Sequence, residues 1–482
     1  MVTYSGGTLD HQSPYRSVKM SLHVTPTLLQ LAMQSLLRDE ALAISALQDL
    51  PMELLPPLFK DAFTHKRLNI LRKMVQVWPF PCLPLGGLMK MKTPYLDILQ
   101  TVLDGIDALL DQNTHPRNYK LQVLDLRALH KDFWTVWAGD TTTSCAPGVK
   151  CRRKIQKRGP KIEAKQNSLK VFIDLYLKPR ALDTCLSYVF LWAKERKALL
   201  QLGCKKLKIN TVAIQNIVKI LEMLDLDYVE EVEVCCTWKL STLAIFAPYL
   251  GRMKNLLSII LSHIHVPASI TPEEEKQLVS QFTSQFSNLQ YLQDLSLDSI
   301  DFLKGQMDQL FRCLEVPLEI LSITDSKMSE SDLQSLSQCP GIRQLKHLNL
   351  SGVILTDISP EPLRVLLERV AATLKTLDLE NCMIMDSQLD VLLPALSQCA
   401  QLIMFNYLRN PISVAILERL LHHTSRLNYL SLEMYSTPWE IYGAQGASYH
   451  KRLEQLREEL SKAMQHLEHN RTVWFSVAPC LP

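Results

Sequence analysis

Two close histidine pairs, His263 with His265 and His422 with His423, are of a type that could hold a metal ion. A zinc site needs three or four converging ligands. Neither pair has an acidic or cysteine cluster beside it in sequence, so each is an incomplete ligand set. The 12 cysteines could serve as nucleophiles or ligands, but they are scattered, with no CxxC. That spacing argues against a zinc ribbon, a thioredoxin-like motif or a dense disulfide framework. Free thiols in a reducing cytosol or nucleus are the expectation. The sequence contains no GxSxG, HExxH, GxxxxGK[ST] or GxGxxG, the spacings that build nucleophile elbows, zincin sites and phosphate cradles. No catalytic site, metal or cofactor is therefore expected, and the residues of interest are ones that bind.

The elements that would position binding residues come next. Hydrophobic residues make up 47% and charged residues 21% of 482, a folded rather than disordered composition. A net charge of +3 is too small to argue for nucleic-acid binding. The N-terminus lacks a signal-peptide pattern. No apolar run reaches membrane-spanning length, so no membrane partner is expected.

A repeated hexapeptide dominates the chain. "CKKLKI" at Cys204 and "VEEVEV" at Val229 are weak copies. "LLSIIL" at Leu256, "LQDLSL" at Leu292, "LEILSI" at Leu318, "LKHLNL" at Leu345 and "LKTLDL" at Leu374 follow. "LIMFNY" at Leu402 and "LNYLSL" at Leu427 close the series. Successive starts differ by 25, 27, 36, 26, 27, 29, 28 and 25 residues, which with one insertion is the leucine-rich repeat range. The fuller signature LxxLxLxx(N/C)xL is met by Leu374 to Ile384, with Cys382, and nearly by Leu402 to Ile412, with Asn410. Helical periodicity lies between the strands: Leu363, Leu366, Leu367 and Val370; Leu389, Leu392, Leu393 and Leu396; Val414, Leu417, Leu420 and Leu421. One strand–turn–helix unit cannot bury its own apolar face, and stacking does so.

The expected fold class is therefore α/β. It is a leucine-rich repeat solenoid, a horseshoe with parallel strands on the concave face, a helical N-terminal segment and a C-terminal cap. The expected divisions are a helical segment over 1–100, irregular early repeats over 101–200 with a basic loop at 148–166, repeats over 201–435, and a cap over 436–482. Leu453, Leu456, Leu460 and Met464 give the cap its helical pattern.

Three sets of binding residues stand out. Leu28, Ala32 and Leu36 recur every four residues along one helical stripe, with a small residue in the centre. Leu50, Leu54 and Leu58 form a second stripe, expected to be broken by Pro56 and Pro57. Both stripes suit an internal cap over the first repeats as well as a partner surface. The third set is acidic. In LxxLxL the leucines point inward, so the residues between and just after them reach the concave face. Those positions carry Glu231, Glu233, Asp294, Asp298, Asp378, Glu380 and Glu433, while Lys206 and Lys208 sit in early units. A one-sign surface speeds capture of an oppositely charged segment, so a target with a Lys/Arg-rich segment is expected there.

Lys150, Arg152, Arg153, Lys154, Lys157, Arg158 and Lys161 form a basic run. It is a nuclear-import candidate, although a solvated loop would look the same. Distribution between cytoplasm and nucleus is expected. Replacing Arg152, Arg153 and Lys154 by Ala should lower the nuclear share of a fluorescent fusion; an unchanged share rejects the import role.

Five features together carry a resemblance: "TPTLLQLAMQSLLRDEALAISALQDLPMELLPPLFKDAF", "LRKMVQVWPFPCLPLGGLMK", the basic loop, the repeat period and the closing "WFSVAPC". Over essentially its whole length the chain resembles the PRAME family, relatives of the preferentially expressed antigen in melanoma. The resemblance implies a substrate receptor of a cullin-2 RING ubiquitin ligase. Its elongin-binding box corresponds to Thr27, Leu28, Ala32 and Leu36, with Ala32 where the family pattern usually has Cys. Its cullin-contact box corresponds to Leu50, Pro51 and Leu54. The implied partners are elongin B/C, cullin-2 with its RING protein, and a protein target. Germline or early-embryo expression is also implied.

The family's link to repression of retinoic acid receptor signalling gives an alternative, a transcriptional corepressor affecting proliferation, differentiation and apoptosis. Its LxxLL feature would be "LRVLL", Leu363 to Leu367, or "LERLL", Leu417 to Leu421; both also fit the buried repeat helix. A scaffold without ligase connection is the third class, and follows if the N-terminal stripes are buried internally.

Overall fold

The structure is a computed structural model that describes residues 27–89, 95–111, 120–127, 134, 168–180, 182–442, 458 and 471–476. The basic loop, with Arg152, Arg153, Lys154, Lys157 and Arg158, lies outside the described residues, as do Leu453, Leu456, Leu460 and Met464 of the expected cap helix. The chain forms two compact units. One is drawn from Met1–Pro79, Asp97–Tyr119 and Trp134–Ser144, the other from Phe80–Leu96, Lys120–Phe133 and Cys145–Pro482.

The first unit is helical. It contains α1 (Leu28–Arg38), α2 (Glu40–Ala46), α3 (Leu55–Thr64), α4 (Leu68–Gln76) and α5 (Leu96–Leu110). Local chemistry sets the helix starts. Thr27 caps α1 in a reciprocal box: Gln30 N donates to Thr27 Oγ1 at 3.2 Å, and Thr27 N donates to Gln30 Oε1 at 2.8 Å. Asp39 caps α2 by accepting from Leu42 N at 3.0 Å. Leu50, Leu54 and Leu58 do not share one helix, since Leu50 precedes a single turn at Met52–Leu54 and only Leu58 lies in α3; that helix is begun, not interrupted, by Pro56 and Pro57. They lie in the first turn of α3, where backbone N–H groups have no helical partner to lose. The core contains Leu58, Phe59, Phe63, Ile70, Leu71, Met74, Val75, Val102 and Ile106. Phe59 contacts Trp78 and Trp134, with ring centroids 5.3 and 5.6 Å away. Gly105 lets α5 approach α4, since a Cβ there would lie 2.8 Å from the Arg72 carbonyl. Arg72 in turn reaches Asp104 at 2.7 Å.

The second unit is a leucine-rich repeat solenoid. Its strands are β1 (Cys82–Leu83), β2 (Val123–Asp125), β3 (Leu169–Leu177), β4 (Leu200–Ile209), β5 (Glu231–Val234), β6 (Trp238–Lys239), β7 (Ser258–Ser262), β8 (Ile264–His265), β9 (Asp294–Asp298), β10 (Ile320–Thr324), β11 (His347–Asn349), β12 (Thr376–Asp378), β13 (Met404–Tyr407), β14 (Leu432–Tyr435) and β15 (Thr472–Phe475). Thirteen pair side by side in chain order, omitting β6 and β8, which form a small second sheet. Every pairing among the described residues is parallel. Strands therefore make one face and helices such as Glu361–Val370, Asp386–Leu396 and Val414–Thr424 the other.

Burial alternates along the strands, as a half-buried sheet requires. In β9 and β10 the middle leucine and its i+2 neighbour are buried: Leu295 and Leu297, Leu321 and Ile323. The pairing follows the hexapeptides from Cys204 to Leu402 but departs at the last one. Thr376 pairs with Met404, and Met404 with Leu432. Leu377, Phe405 and Glu433 are thus equivalent, and the final repeat reads Leu430, Glu433, Tyr435 rather than Leu427, Leu430, Leu432. "LNYLSL" spells the motif three residues early.

Buried polar groups fasten successive turns. Asn410, with no exposed surface, accepts from Cys382 N and Ile384 N, both at 3.1 Å, and donates to Leu379 O at 2.7 Å. That bonding explains why the repeat favours Asn at this position: its amide satisfies backbone groups that the strand-to-helix turn leaves unpaired. Ser326 fills the same role in its repeat, accepting from Ile300 N at 3.0 Å. Cys382 donates to Leu350 O at 3.1 Å.

Candidate interaction surfaces

Helix α1 buries Met33 and Leu37. At about 100° per residue, the stripe through Leu28 and Ala32 points elsewhere. Leu28 is 86% exposed, Ala32 is exposed, and Leu36, between the two faces, is half-buried. Leu29, Leu31, Leu42 and Met52 are also exposed, so every exposed large apolar side chain described in this unit falls within residues 28–52. Thr27 is exposed and has the capping role above. Of the second set, Pro51 is exposed while Leu50 and Leu54 are half-buried. A single helical turn, Met52–Leu54, follows Pro51, with Leu54 N donating to Pro51 O at 3.0 Å. An internal cap would bury the α1 stripe, and within this unit it is not buried.

The strand face changes character along the array. On β4 and β5 the charges pair across strands: Lys206 Nζ lies 2.6 Å from Glu231, and Lys208 Nζ 2.6 Å from Glu233. Lys205 pairs with Glu230. Glu231 and Glu233 therefore add little net acidity, which the sequence reading did not recognise. The Glu233 carboxyl is held below its ordinary range by hydrogen bonds from Cys235 and Lys208. Further on, Asp294 accepts from Ser258 Oγ at 2.9 Å, and burial pushes its carboxyl up. Asp298 accepts from Thr324 Oγ1 at 2.7 Å. Asp378 accepts from Glu380 N at 3.0 Å, and Asn406 Nδ2 donates to Asp378 at 3.1 Å and to Glu380 at 3.0 Å. Asn349 and Asn406 accept from Ser351 N and Leu408 N in the same way, so the position of Asp378 forms an Asx turn that ends the strand. Asp294, Asp298, Asp378 and Glu380 are all half-buried.

Glu433 does not belong to an acidic face. It is fully buried at an inward position, paired with Arg471 and accepting from Tyr435 Oη. Arg471 also donates to Thr424 O at 2.9 Å. Sequence reasoning misplaced Glu433 through the shifted register and missed Arg471, 38 residues away.

The structure also places the LxxLL segments, the first histidine pair and two of the buried cysteines. Leu363, Leu366 and Leu367, and Leu417, Leu420 and Leu421, are buried, so neither LxxLL segment offers its leucines to a partner. His263 has φ +57 and β8 begins at Ile264, so it shares no extended-strand face with His265. Among the described residues no three His, Cys, Asp or Glu side chains converge as metal ligands. Burial pushes the Cys204 and Cys399 thiols up to about 12, which holds them in the unreactive thiol form.

A leucine-rich repeat solenoid joined to a separate helical unit with an exposed apolar stripe defines the class: a protein that works through contacts. The chain belongs to the PRAME family. The family's C-terminal domain matches residues 169–482 and its N-terminal domain residues 25–134. Human PRAME family member 12 is 51% identical over 461 residues, covering 96% of this chain and 94% of that protein. Human PRAME family member 8 is 49% identical, covering 96% of each. A solved leucine-rich repeat protein of Leptospira interrogans is 12% identical with a TM-score of 0.27, covering 60% of this chain and 88% of that one, a similarity too slight to bear on function.

Proposed function

We propose that the chain is the substrate receptor of a cullin-2 RING ubiquitin ligase. The exposure of Leu28 and Ala32 on α1, opposite the side that packs, carries the reading. In it, Thr27, Leu28, Ala32 and Leu36 meet elongin C of the elongin B/C adaptor, and Leu50, Pro51 and Leu54 meet cullin-2. A target binds the strand face of the solenoid. The receptor supplies no acid, base or metal. It holds a target lysine near the charged conjugating enzyme carried by the cullin, and the rate gain is one of proximity. The small side chain of Ala32 admits close approach without the thiol usual in the family. Action in both cytoplasm and nucleus belongs to the same reading, on the strength of the basic run at 150–161.

Affinity purification with mass spectrometry tests it. Wild type is expected to bring down elongin B, elongin C and cullin-2. Pro51→Asp, at an exposed site, is expected to keep the elongins and lose cullin-2. Purification of none of the three from wild type contradicts the reading.

A further inference from the structure

The C-terminal end of the strand face differs from the rest. Pairing places Met404 beside Leu432, and Met434 beside Trp474. All four occupy outward strand positions. Trp474 is 62% exposed, and the other three are half-buried. The same rows continue toward the middle of the sheet through Thr376 and Asn406 to Asp378. An apolar patch thus lies beside an acidic group. Among the described residues no cation reaches Asp378 within salt-bridge distance, whereas Glu380 has Arg409 at 3.5 Å. Methionine side chains adapt their shape to a ligand, and an exposed indole offers a large, stiff contact surface.

We propose that this corner captures an extended peptide segment of the target carrying one large apolar residue and one Lys or Arg. The apolar side chain lies on Met404, Leu432, Met434 and Trp474, and the cation meets Asp378. The proposal rests on the reading of the strand face as the target surface. Spacing follows from the sheet. Neighbouring strands are about 4.8 Å apart, so Asp378 on β12 is about 10 Å from Met434 on β14 and about 14 Å from Trp474 on β15. A segment lying across the strands advances about 3.3 Å per residue. The basic and apolar residues are therefore three or four positions apart in the peptide. A cation against a half-buried carboxylate selects charge, and the patch selects bulk; together they reject segments with only one of the two.

A random 12-residue display library, selected on the full chain and counter-selected on Trp474→Ala, tests this. Enriched sequences are expected to share a Lys or Arg three or four positions from a large apolar residue. Synthetic peptides of those sequences should bind Trp474→Ala at least tenfold more weakly. Asp378→Asn keeps the Asx turn, as Asn349 and Asn406 do, yet should weaken binding severalfold and flatten its salt dependence. The proposal is overturned by enrichment independent of Trp474, by enriched sequences with no basic residue, or by affinity indifferent to Asp378→Asn. A concentration-dependent dimer that Trp474→Ala abolishes also overturns it, since the patch would then be a self-association surface. Elongin B/C binding, measured on the same variants, should not change. Failure of wild type to bind elongin sinks the ligase reading while leaving the peptide result interpretable.

Discussion

Leu28→Asp is expected to abolish co-purification of elongin C while leaving the fold intact. Leu28 is 86% exposed, so the folded chain loses almost no packing when it is replaced. Exposed substitutions of this kind stay within about 0.5 kcal/mol, a melting shift of about 2–4 °C at most for a unit of about 100 residues. In a complex the same side chain enters an apolar pocket. A carboxylate there costs several kcal/mol, and at about 1.4 kcal/mol per tenfold the loss exceeds a hundredfold. Thermal melting and elongin capture of the same preparation separate the two effects. Unchanged capture removes the main support for the ligase reading. A large melting decrease would show the helix to be an internal cap after all.

The second large effect concerns Glu433. Arg471→Ala leaves a carboxylate buried without its cation, a change that costs about 3–5 kcal/mol. Because solenoid stability is a sum over neighbouring repeats, the loss should be local. Hydrogen exchange is expected to show reduced protection in β14 and β15, with early strands unaffected. The double variant Glu433→Leu with Arg471→Met restores the inward leucine of the other repeats and removes both charges. It should recover most of the loss, because apolar replacement of a buried ion pair is often favourable, but stay short of wild type, because the Tyr435 hydroxyl and the Thr424 carbonyl lose the bonds described above. Equal protection in Arg471→Ala and wild type would show that Glu433 does not depend on Arg471.

These two sites also show where the sequence was legible. The repeats were readable because burial alternates with the strand period and the strand leucines recur at nearly constant intervals. Register from Cys204 to Leu402 follows from the hexapeptides. It fails at the last repeat because Leu427, Leu430 and Leu432 spell the motif, while the true inward residue is the charged Glu433. Its partner Arg471 lies outside any repeat, so no local pattern could reveal the pair. The Lys206–Glu231 and Lys208–Glu233 pairs did leave a signal. Each pair spans 25 residues, the interval between their two strands, and aligned repeats bring such residues side by side. The Asx role of Asp378 was equally available from Asn349 and Asn406 at equivalent positions. The stripe through Leu28, Ala32 and Leu36 was visible as a pattern, but helical periodicity does not say which side faces the core. Burial of Met33 and Leu37 decides that, and it depends on how the helices of the first unit pack.

Calorimetric titration of purified elongin B/C into the purified full-length chain tests the central claim most directly. Saturable one-to-one binding is expected for wild type, with no measurable binding for Leu28→Asp. An absence of binding by the folded wild-type chain, or equal binding by Leu28→Asp, would contradict a receptor that docks through α1.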